Sequence, residues 1–265
     1  MTKKISIIGG GNLGTAIAEG LVQSGFVSPE NIMVTRRNIV SLQPLSAKGV
    51  QVSSSNAAAV EFGDYVILAV KPFQLADILA GLEGILDPLK HTIISVITGV
   101  GTADILQLLK SPFPVVRAMP NTAIAIQQSM TCISYKDVAA GDIEEIMQLF
   151  SQLGKVVVIE EKLMDAATVL GACGTAFAMR YIRANIQGGI EIGFDAATAN
   201  LIAAQTVKGA AELLLVKGSH PEQEIDKVTT PKGCTIAGLN EMEHQGFSSS
   251  LIKGIMSSYQ KIAKD

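Results

Sequence analysis

The sequence predicts an α/β fold: an N-terminal doubly wound, Rossmann-type parallel sheet followed by an all-helical domain. Three observations predict it. Strand and helix patterns alternate over about the first 160 residues. A glycine-rich turn follows the first strand. From Lys162 onward, long apolar helical patterns replace the strands. That change of composition sets the expected domains at 1–161 and 162–265, with no Ser/Pro-rich hinge between them.

The first strand and its turn read Lys3-Lys4-Ile5-Ser6-Ile7-Ile8-Gly9-Gly10-Gly11-Asn12-Leu13-Gly14. Ile5 to Ile8 is short and apolar, the pattern of a buried parallel strand. Gly9-x-Gly11-x-x-Gly14 then leads into a helix predicted from about Asn12 to Ser24. Gly9 permits the tight turn, Gly11 lets a pyrophosphate approach the backbone, and Gly14 allows helix and strand to pack closely. Unpaired N–H groups and the positive end of the helix dipole meet the phosphate charge. Glycine turns are common, but a strand before this one and a helix after it point to dinucleotide binding.

The second strand, Asn31 to Thr35, ends at Arg36-Arg37, about 20 residues past the glycines, where cofactor choice is made. An acid there binds the ribose 2′-hydroxyl of NAD, whereas Arg accommodates the 2′-phosphate of NADP. Thr35-Arg36-Arg37 supplies a hydroxyl, two cations and no acid, which predicts NADPH with NADH still possible. On this reading Arg36→Ala loses NADPH affinity and leaves NADH little changed. The competing account is a pair of solvated surface arginines.

A helix is expected around Val40–Lys48, a strand at Val50–Val52, and an N-cap within Ser53–Asn56. Asp64 to Val70 is the clearest buried strand, and Lys71-Pro72 ends it, so Lys71 sits at the edge where ligands bind. Further units follow: helix Gln74–Leu86, strand Thr92–Val96 before Gly99-Val100-Gly101, helix Ala103–Leu109, and strand Pro114–Arg117. Strands at Cys132–Tyr135 and Lys155–Glu160 flank a helix over Gly141–Leu153.

The second half shows no convincing strand. One long helix is predicted from Leu163 to about Gly188 and another over Asp195–Val216, with Asp195 as N-cap. The second is apolar nearly all round, and such a helix must be buried on all sides. A hundred or so residues cannot arrange that alone, so this domain is expected to dimerise. Turn formers at Lys227–Thr235 interrupt the helices before a final pair, Ile236–Gln245 and Ser249–Lys264.

The 265 residues suffice for two domains, and a net charge of −3 offers no nucleic-acid surface. Nearly half the residues are apolar, with no Trp, so the core is built from Ala, Val, Ile and Leu. Cys132, Cys173 and Cys234 are far apart and odd in number, which predicts reduced thiols, no disulfide framework and no metal site. No charged leader precedes the first strand, and no run of 18 or more apolar residues is present, so a soluble cytoplasmic protein is expected.

These segments together resemble the pyrroline-5-carboxylate reductase family along nearly the whole chain. The resemblance rests on Gly9 to Gly14, Ala69-Val70-Lys71-Pro72, Arg117-Ala118-Met119-Pro120-Asn121-Thr122, and Thr230-Pro231-Lys232-Gly233-Cys234-Thr235 with Gly238-Leu239, Glu243 and His220-Pro221. It implies NAD(P)H-dependent reduction of 1-pyrroline-5-carboxylate to L-proline, the last step of proline biosynthesis. It further implies a homodimer interlocked through the helical domain, often extended to a ring of dimers. By motif match, Gly9, Gly11, Asn12, Leu13 and Gly14 would carry the phosphates, with Thr35, Arg36, Arg37 and Asn56 at the adenosine end. Ala69, Val70, Lys71 and Pro72 would line the nicotinamide side, and Met119 and Asn121 would face the reacting rings. Val228, Thr230, Gly233, Cys234 and Thr235 would bind substrate, its carboxylate held by backbone N–H groups and hydroxyls. The chain departs from the family at Ala172-Cys173-Gly174-Thr175-Ala176-Phe177, where Gly-Ser-Gly-Pro-Ala-Tyr is usual. It also carries Arg183 in place of a common Glu, and Ile97-Thr98 in place of paired alanines.

Reducing a cyclic imine needs hydride at carbon and a proton at nitrogen. The imine can be protonated before attack, so no strong protein acid is required, and the sequence offers no Ser/His/Asp set, paired carboxylates or metal cluster. The site must instead hold the nicotinamide C4 about 3–3.5 Å from the imine carbon. Gly233 lets the backbone approach the carboxylate, and Pro231 stiffens the turn. Thr235 is the candidate catalytic residue, orienting the imine nitrogen or relaying its proton; the competing role is a helix cap. His91, His220 and His244 read as surface or capping histidines. Asn121 could equally stabilise its own turn. Two rival functions remain: a β-hydroxyacid dehydrogenase-like NADPH oxidoreductase, disfavoured by the lack of a lysine on the long helix, and a non-catalytic NADPH-binding redox sensor.

Overall fold

The structure, a computed structural model, describes residues 3–262. Eight strands form one sheet: β1 (Ile5–Ile8), β2 (Ile32–Thr35), β3 (Gln51–Ser53), β4 (Tyr65–Leu68), β5 (Thr92–Ser95), β6 (Val115–Met119), β7 (Ser129–Lys136) and β8 (Gly154–Val158). Their spatial order is β3-β2-β1-β4-β5-β6-β7-β8. The first six follow the doubly wound order 3-2-1-4-5-6, which reverses direction at β1.

Helices α1 (Asn12–Ser24), α2 (Gln43–Ser46), α3 (Asn56–Phe62), α4 (Leu75–Ala80), α5 (Thr102–Leu109) and α6 (Ala140–Ser151) connect the strands. Residue alternation along each strand sends side chains to opposite faces. Ile7, Ile67, Ile94 and Val116 join Ile17 and Leu21 of α1 and Ile146 and Phe150 of α6 in one core. Ile8, Leu68, Ile93 and Val115 join Val60, Leu75, Leu79 and Ile105 in the other. Each such side chain contributes roughly 1.5–3 kcal/mol on burial, which holds the strands that deliver the site.

The sheet is predominantly parallel but not wholly so: β7 runs antiparallel to β6, with Arg117 opposite Ser134. Residues 120–128 are too few for the crossover that a parallel pair requires, and a 3₁₀ turn at Thr122–Ile126 occupies half of them. The helix expected over Val40–Lys48 is a 3₁₀ turn, Ile39–Leu42, followed by the single turn α2. The helix expected to reach Leu86 stops at Ala80, where Gly81 and then left-handed Gly84 follow. Other boundaries shift by a few residues.

The chain divides into two compact units. One runs through Cys173 and takes in Lys261; the other is Gly174–Gln260. In the first, α7 (Met164–Ala167) passes into a π-helical stretch, Thr168–Cys173, so the single helix expected from Leu163 is broken there. Thr168 Oγ1 donates to Met164 O at 2.9 Å, and Asn121 Nδ2 donates to Gly171 O at 3.3 Å. In the second unit, α8 (Gly174–Glu191) and α9 (Ala196–Lys217) form a hairpin, followed by α10 (Pro221–Lys227), α11 (Cys234–His244) and α12 (Phe247–Ile262). Asp195 caps α9 by accepting from Ala197 N and Thr198 N. A Cβ on Gly189 would lie 3.1 Å from Ala199 Cβ, so small residues bring α8 and α9 together. By length and composition α9 is apolar enough to cross a membrane, yet it carries Lys208 and Glu212.

His91 departs from the expected surface or capping role. It is buried, Nδ1 accepting from Asp87 N at 2.9 Å and Nε2 donating to Val60 O at 3.0 Å. Burial, then the charge of Lys90, lowers its pKa from the ordinary histidine value. A depressed pKa means that the stabilisation is complete above the unfolded value of about 6.5 and is lost as pH falls below it. Thermal unfolding is expected to show an acid-side loss of at most about 1.4 kcal/mol per pH unit from this proton. In His91→Gln that part of the pH dependence should vanish; an unchanged profile would remove His91 as its source.

Candidate active site

A cleft of about 910 Å³ opens at the carboxyl ends of β1, β2, β4 and β5. The edge is set by the fold, because strand order reverses at β1 and adjacent connections leave in opposite directions. Gly9, Gly11, Asn12 and Leu13 line it, together with Thr35, Arg36, Arg37 and Asn56 on one side and Ala69, Val70, Lys71 and Pro72 on the other. Gly14 lies beneath. Its Cβ would meet Gly9 O at 2.1 Å, so this glycine serves close packing and not the cleft wall. Gly9 has φ +109° and a Cβ there would strike Ala69 O at 2.5 Å, whereas a Cβ on Gly11 would meet nothing within 4 Å.

The glycine turn is gripped from β2: Gly10 N donates to Thr35 O at 2.6 Å and Gly9 N to the same oxygen at 3.3 Å. No side chain caps α1, and its first turn has no acid, so its leading N–H groups remain available to an anion. Thr35 is buried, and its hydroxyl donates to Asn56 Oδ1 at 2.7 Å. It therefore orients the Asn56 amide at the start of α3, while Ser55 caps that helix by accepting from Ala58 N.

Arg36 is engaged as well as positioned: its Nη1 donates to Gly10 O at 2.9 Å and braces the glycine turn. Arg36→Ala is thus expected to weaken both cofactors. The charged contact to a 2′-phosphate expected from the sequence would add about a 10- to 100-fold rise in NADPH Kd, and the lost brace about 2- to 10-fold for NADH. Calorimetric titration with each cofactor checks it; equal losses would remove Arg36 from 2′-phosphate recognition.

Thr98 and Thr122 also line the cleft, each just past the carboxyl end of a strand, although the motifs that contain them assigned neither a role in the site. Asn121 is largely spent locally: Oδ1 accepts from Ala123 N, its backbone N–H donates to Ser129 Oγ, and Nδ2 reaches Gly171 O. Met119 is buried on β6. Neither lines the cleft as it stands.

In the second unit, Thr230-Pro231-Lys232-Gly233 is a tight turn, Gly233 N donating to Thr230 O at 2.9 Å with Lys232 left-handed at φ +59°. This is the type II pattern, Pro at its second position. A Cβ on Gly233 would fall 2.5 Å from Thr230 Oγ1, so a side chain there would have to displace the Thr230 hydroxyl. Gly233 is also the N-cap of α11, whose start carries no side-chain cap. The capping role weighed for Thr235 therefore belongs to the Gly233 position. Because the Gly233 N–H is used within the turn, the donors left for an anion are those of Cys234 and Thr235 in the first helical turn. Val228 is exposed at the C-cap of α10. His220 caps α10, accepting from Glu222 N, and His244 lies in the last turn of α11. Among the described residues no group of three or more His, Cys, Asp or Glu could hold a metal ion.

A doubly wound sheet with a glycine turn, two arginines past β2 and a cleft at the strand carboxyl ends is the arrangement of an NADP-type dinucleotide-binding oxidoreductase. Residues 4–99 match the family described as NADP oxidoreductase coenzyme F420-dependent, and residues 161–265 match pyrroline-5-carboxylate reductase dimerisation. The chain is 48% identical over 271 residues to pyrroline-5-carboxylate reductase 1 of Dictyostelium discoideum, covering 98% of this chain and 49% of that one. It thus spans about half the length of that relative. It is 43% identical over 278 residues to pyrroline-5-carboxylate reductase 2 of the same organism, covering 99% and 93%. A pyrroline-5-carboxylate reductase structure from Coxiella burnetii has a TM-score of 0.90 at 28% identity, covering 100% of this chain and 98% of that one. The Plasmodium falciparum pyrroline carboxylate reductase with NADP bound has the same fold, with a TM-score of 0.90 at 23% identity over 98% of this chain and 97% of that one. The chain belongs to the pyrroline-5-carboxylate reductase family.

Proposed function

We propose that this protein reduces 1-pyrroline-5-carboxylate to L-proline, the last step of proline biosynthesis. NADPH gives a hydride to the imine carbon, the imine nitrogen keeps its proton, and NADP⁺ leaves. The observation that carries this reading is the end-to-end likeness to a reductase of nearly the same length, at 43% identity. In this reading Gly9 to Leu13 hold the pyrophosphate, with Gly14 supporting the turn from below. Thr35, Arg36, Arg37 and Asn56 serve the adenosine end, and Ala69 to Pro72 the nicotinamide. The substrate carboxylate takes the N–H groups of Cys234 and Thr235 and the hydroxyl of Thr230, Val228 adds an apolar contact, and Thr235 orients the imine nitrogen. Met119 and Asn121 support the strand end beside the reacting rings. The dehydrogenase rival lacks its base, since α8 carries Arg180 and Arg183 and no lysine.

A homodimer through the helical unit accounts for apolar side chains left open on α9, with Leu201 69%, Leu215 70% and Val216 73% exposed. Sedimentation velocity is expected to show this dimer, and further association of dimers into a ring would be read from the same run. The free thiols Cys132, Cys173 and Cys234 suit the reducing cytoplasm. The deciding assay is NADPH oxidation with 1-pyrroline-5-carboxylate, repeated with NADH and with 3-hydroxy acids in the reverse direction. Turnover of the cyclic imine is expected. Turnover of the hydroxy acids alone would favour the dehydrogenase, and tight NADPH binding without any turnover would favour a sensor.

A further inference from the structure

Arg117 lies in β6 and is 3% exposed. Its Nη1 donates to Glu161 Oε1 at 2.7 Å, while Nε and Nη2 find no acceptor among the described residues. Glu161 stands just past β8, in the 3₁₀ turn Glu161–Leu163. Its carboxylate does more than balance that charge. Oε1 also accepts from Thr102 N at 3.0 Å, and Oε2 accepts from the buried Ser134 hydroxyl. One side chain therefore joins β6, β7 and the first residue of α5. Burial acts to raise its pKa, but Ser134, Thr102 and Arg117 together outweigh it and hold the carboxyl below its ordinary value.

The consequence lies in what Thr102 terminates. Residues 97–101 run from the end of β5 to α5, and Ile97 and Thr98 at their start form part of the cleft wall. This loop has little stiffness of its own: Gly99 is left-handed at φ +73°, and Gly101 follows two residues on. Its far end is fixed by two carboxylates, Asp104 Oδ2 accepting from Gly101 N at 2.9 Å and Glu161 from Thr102 N. The strand order puts β5 and β6 on the opposite side of β1 from β2, and so away from Arg36 and Arg37.

We propose that Glu161 is a positioning residue for the nicotinamide end of the cleft: it anchors the wall loop 97–101 through Thr102 and steadies β6 through Arg117. The proposal rests on the NADPH-dependent reading above. It predicts that loss of Glu161 disturbs hydride transfer without disturbing 2′-phosphate recognition.

The test is the double variant Glu161→Leu/Arg117→Met, which leaves no buried ion unpaired and so limits the loss of stability. A second variant, Thr102→Pro, removes the gripped N–H while keeping Glu161 and Arg117, with Thr102→Val as the control for loss of the buried hydroxyl. Proline is well tolerated at the first helical position, and the extended Gly101 before it is compatible with it. Folding is checked by thermal unfolding. Then kcat, NADPH and NADH affinities, and the fluorescence of bound reduced nicotinamide are measured. With the double variant kcat is expected to fall about 10- to 100-fold, as misplacement by about 1 Å does. The bound nicotinamide should fluoresce more like free NADPH, and the NADPH/NADH affinity ratio should stay within about twofold. Thr102→Pro should move kcat and fluorescence in the same direction by a smaller factor, and it decides the matter if the double variant does not fold. Folded variants with unchanged kcat and fluorescence would reduce Glu161 to a stability role, and a collapsed NADPH/NADH ratio would put its influence at the wrong end; either overturns the proposal. If even the unaltered protein fails to reduce the imine, the functional reading fails. The fluorescence change would still support the positioning role.

Discussion

Gly14→Ala is expected to lose both stability and cofactor binding. The added methyl would lie 2.1 Å from Gly9 O and 3.2 Å from Ile7 Cγ2. The first obstacle is the backbone of the glycine turn, which cannot rotate away as a side chain can. Either α1 backs off the sheet or the turn opens. Overpacking of this kind costs about 1–3 kcal/mol, and a backbone obstacle places it toward the upper end. The same shift withdraws the leading N–H groups of α1 from the cleft, so NADPH Kd should rise by at least about 100-fold, in line with the cost of an ångström of misplacement. Gly11→Ala is the informative contrast. Nothing lies within 4 Å of its added Cβ, so stability should hold to about 0.5 kcal/mol while NADPH affinity falls. Thermal unfolding and calorimetric titration of the two variants separate the roles. A Gly14→Ala protein that melts and binds normally would dismiss the close-packing account.

Thr235→Ala should do the reverse, removing activity and sparing the fold. Under the proposed function, loss of the hydroxyl that accepts from the protonated imine N–H lowers kcat/KM by about 10- to 1,000-fold, the scale of losing one preorganised hydrogen bond to the reacting group. A capping threonine would instead cost about 1 kcal/mol of stability. The N-cap of α11 is Gly233, and no side chain caps the helix, so alanine at Thr235 should leave the unfolding temperature nearly unchanged. Thr235→Ser should restore most of the activity by returning the hydroxyl. A folded Thr235→Ala enzyme with normal kcat/KM would take this residue out of the reaction.

What the residues foretold, and what they did not, follows the range of the forces involved. β1 and α1 were legible to the residue because one short stretch carries both the apolar run and the glycines that end it. Asp195 was legible as a cap, and the cap of α3 was legible to within Ser53–Asn56, because a cap acts over two or three residues. The broken helix at Thr168–Cys173 was not, since nothing local separates a π turn from an α turn; the Asn121 amide that meets Gly171 O comes from a distant strand end. His91 was misread for the same reason, because its partner carbonyl belongs to Val60 on another element.

The sequence by itself determined the doubly wound sheet, the glycine turn, the basic end of β2 and the turn at Thr230–Gly233, each written in contiguous residues. Only the tertiary structure decided that β7 runs against β6, that Arg36 braces Gly10, and that Gly233 in place of Thr235 is the N-cap of α11. It alone brought Glu161 to Arg117, Ser134 and Thr102. Periodicity and turn chemistry are short-range and can be read along the chain, whereas hydrogen bonds and ion pairs between distant elements exist only once the sheet has fixed where those elements meet.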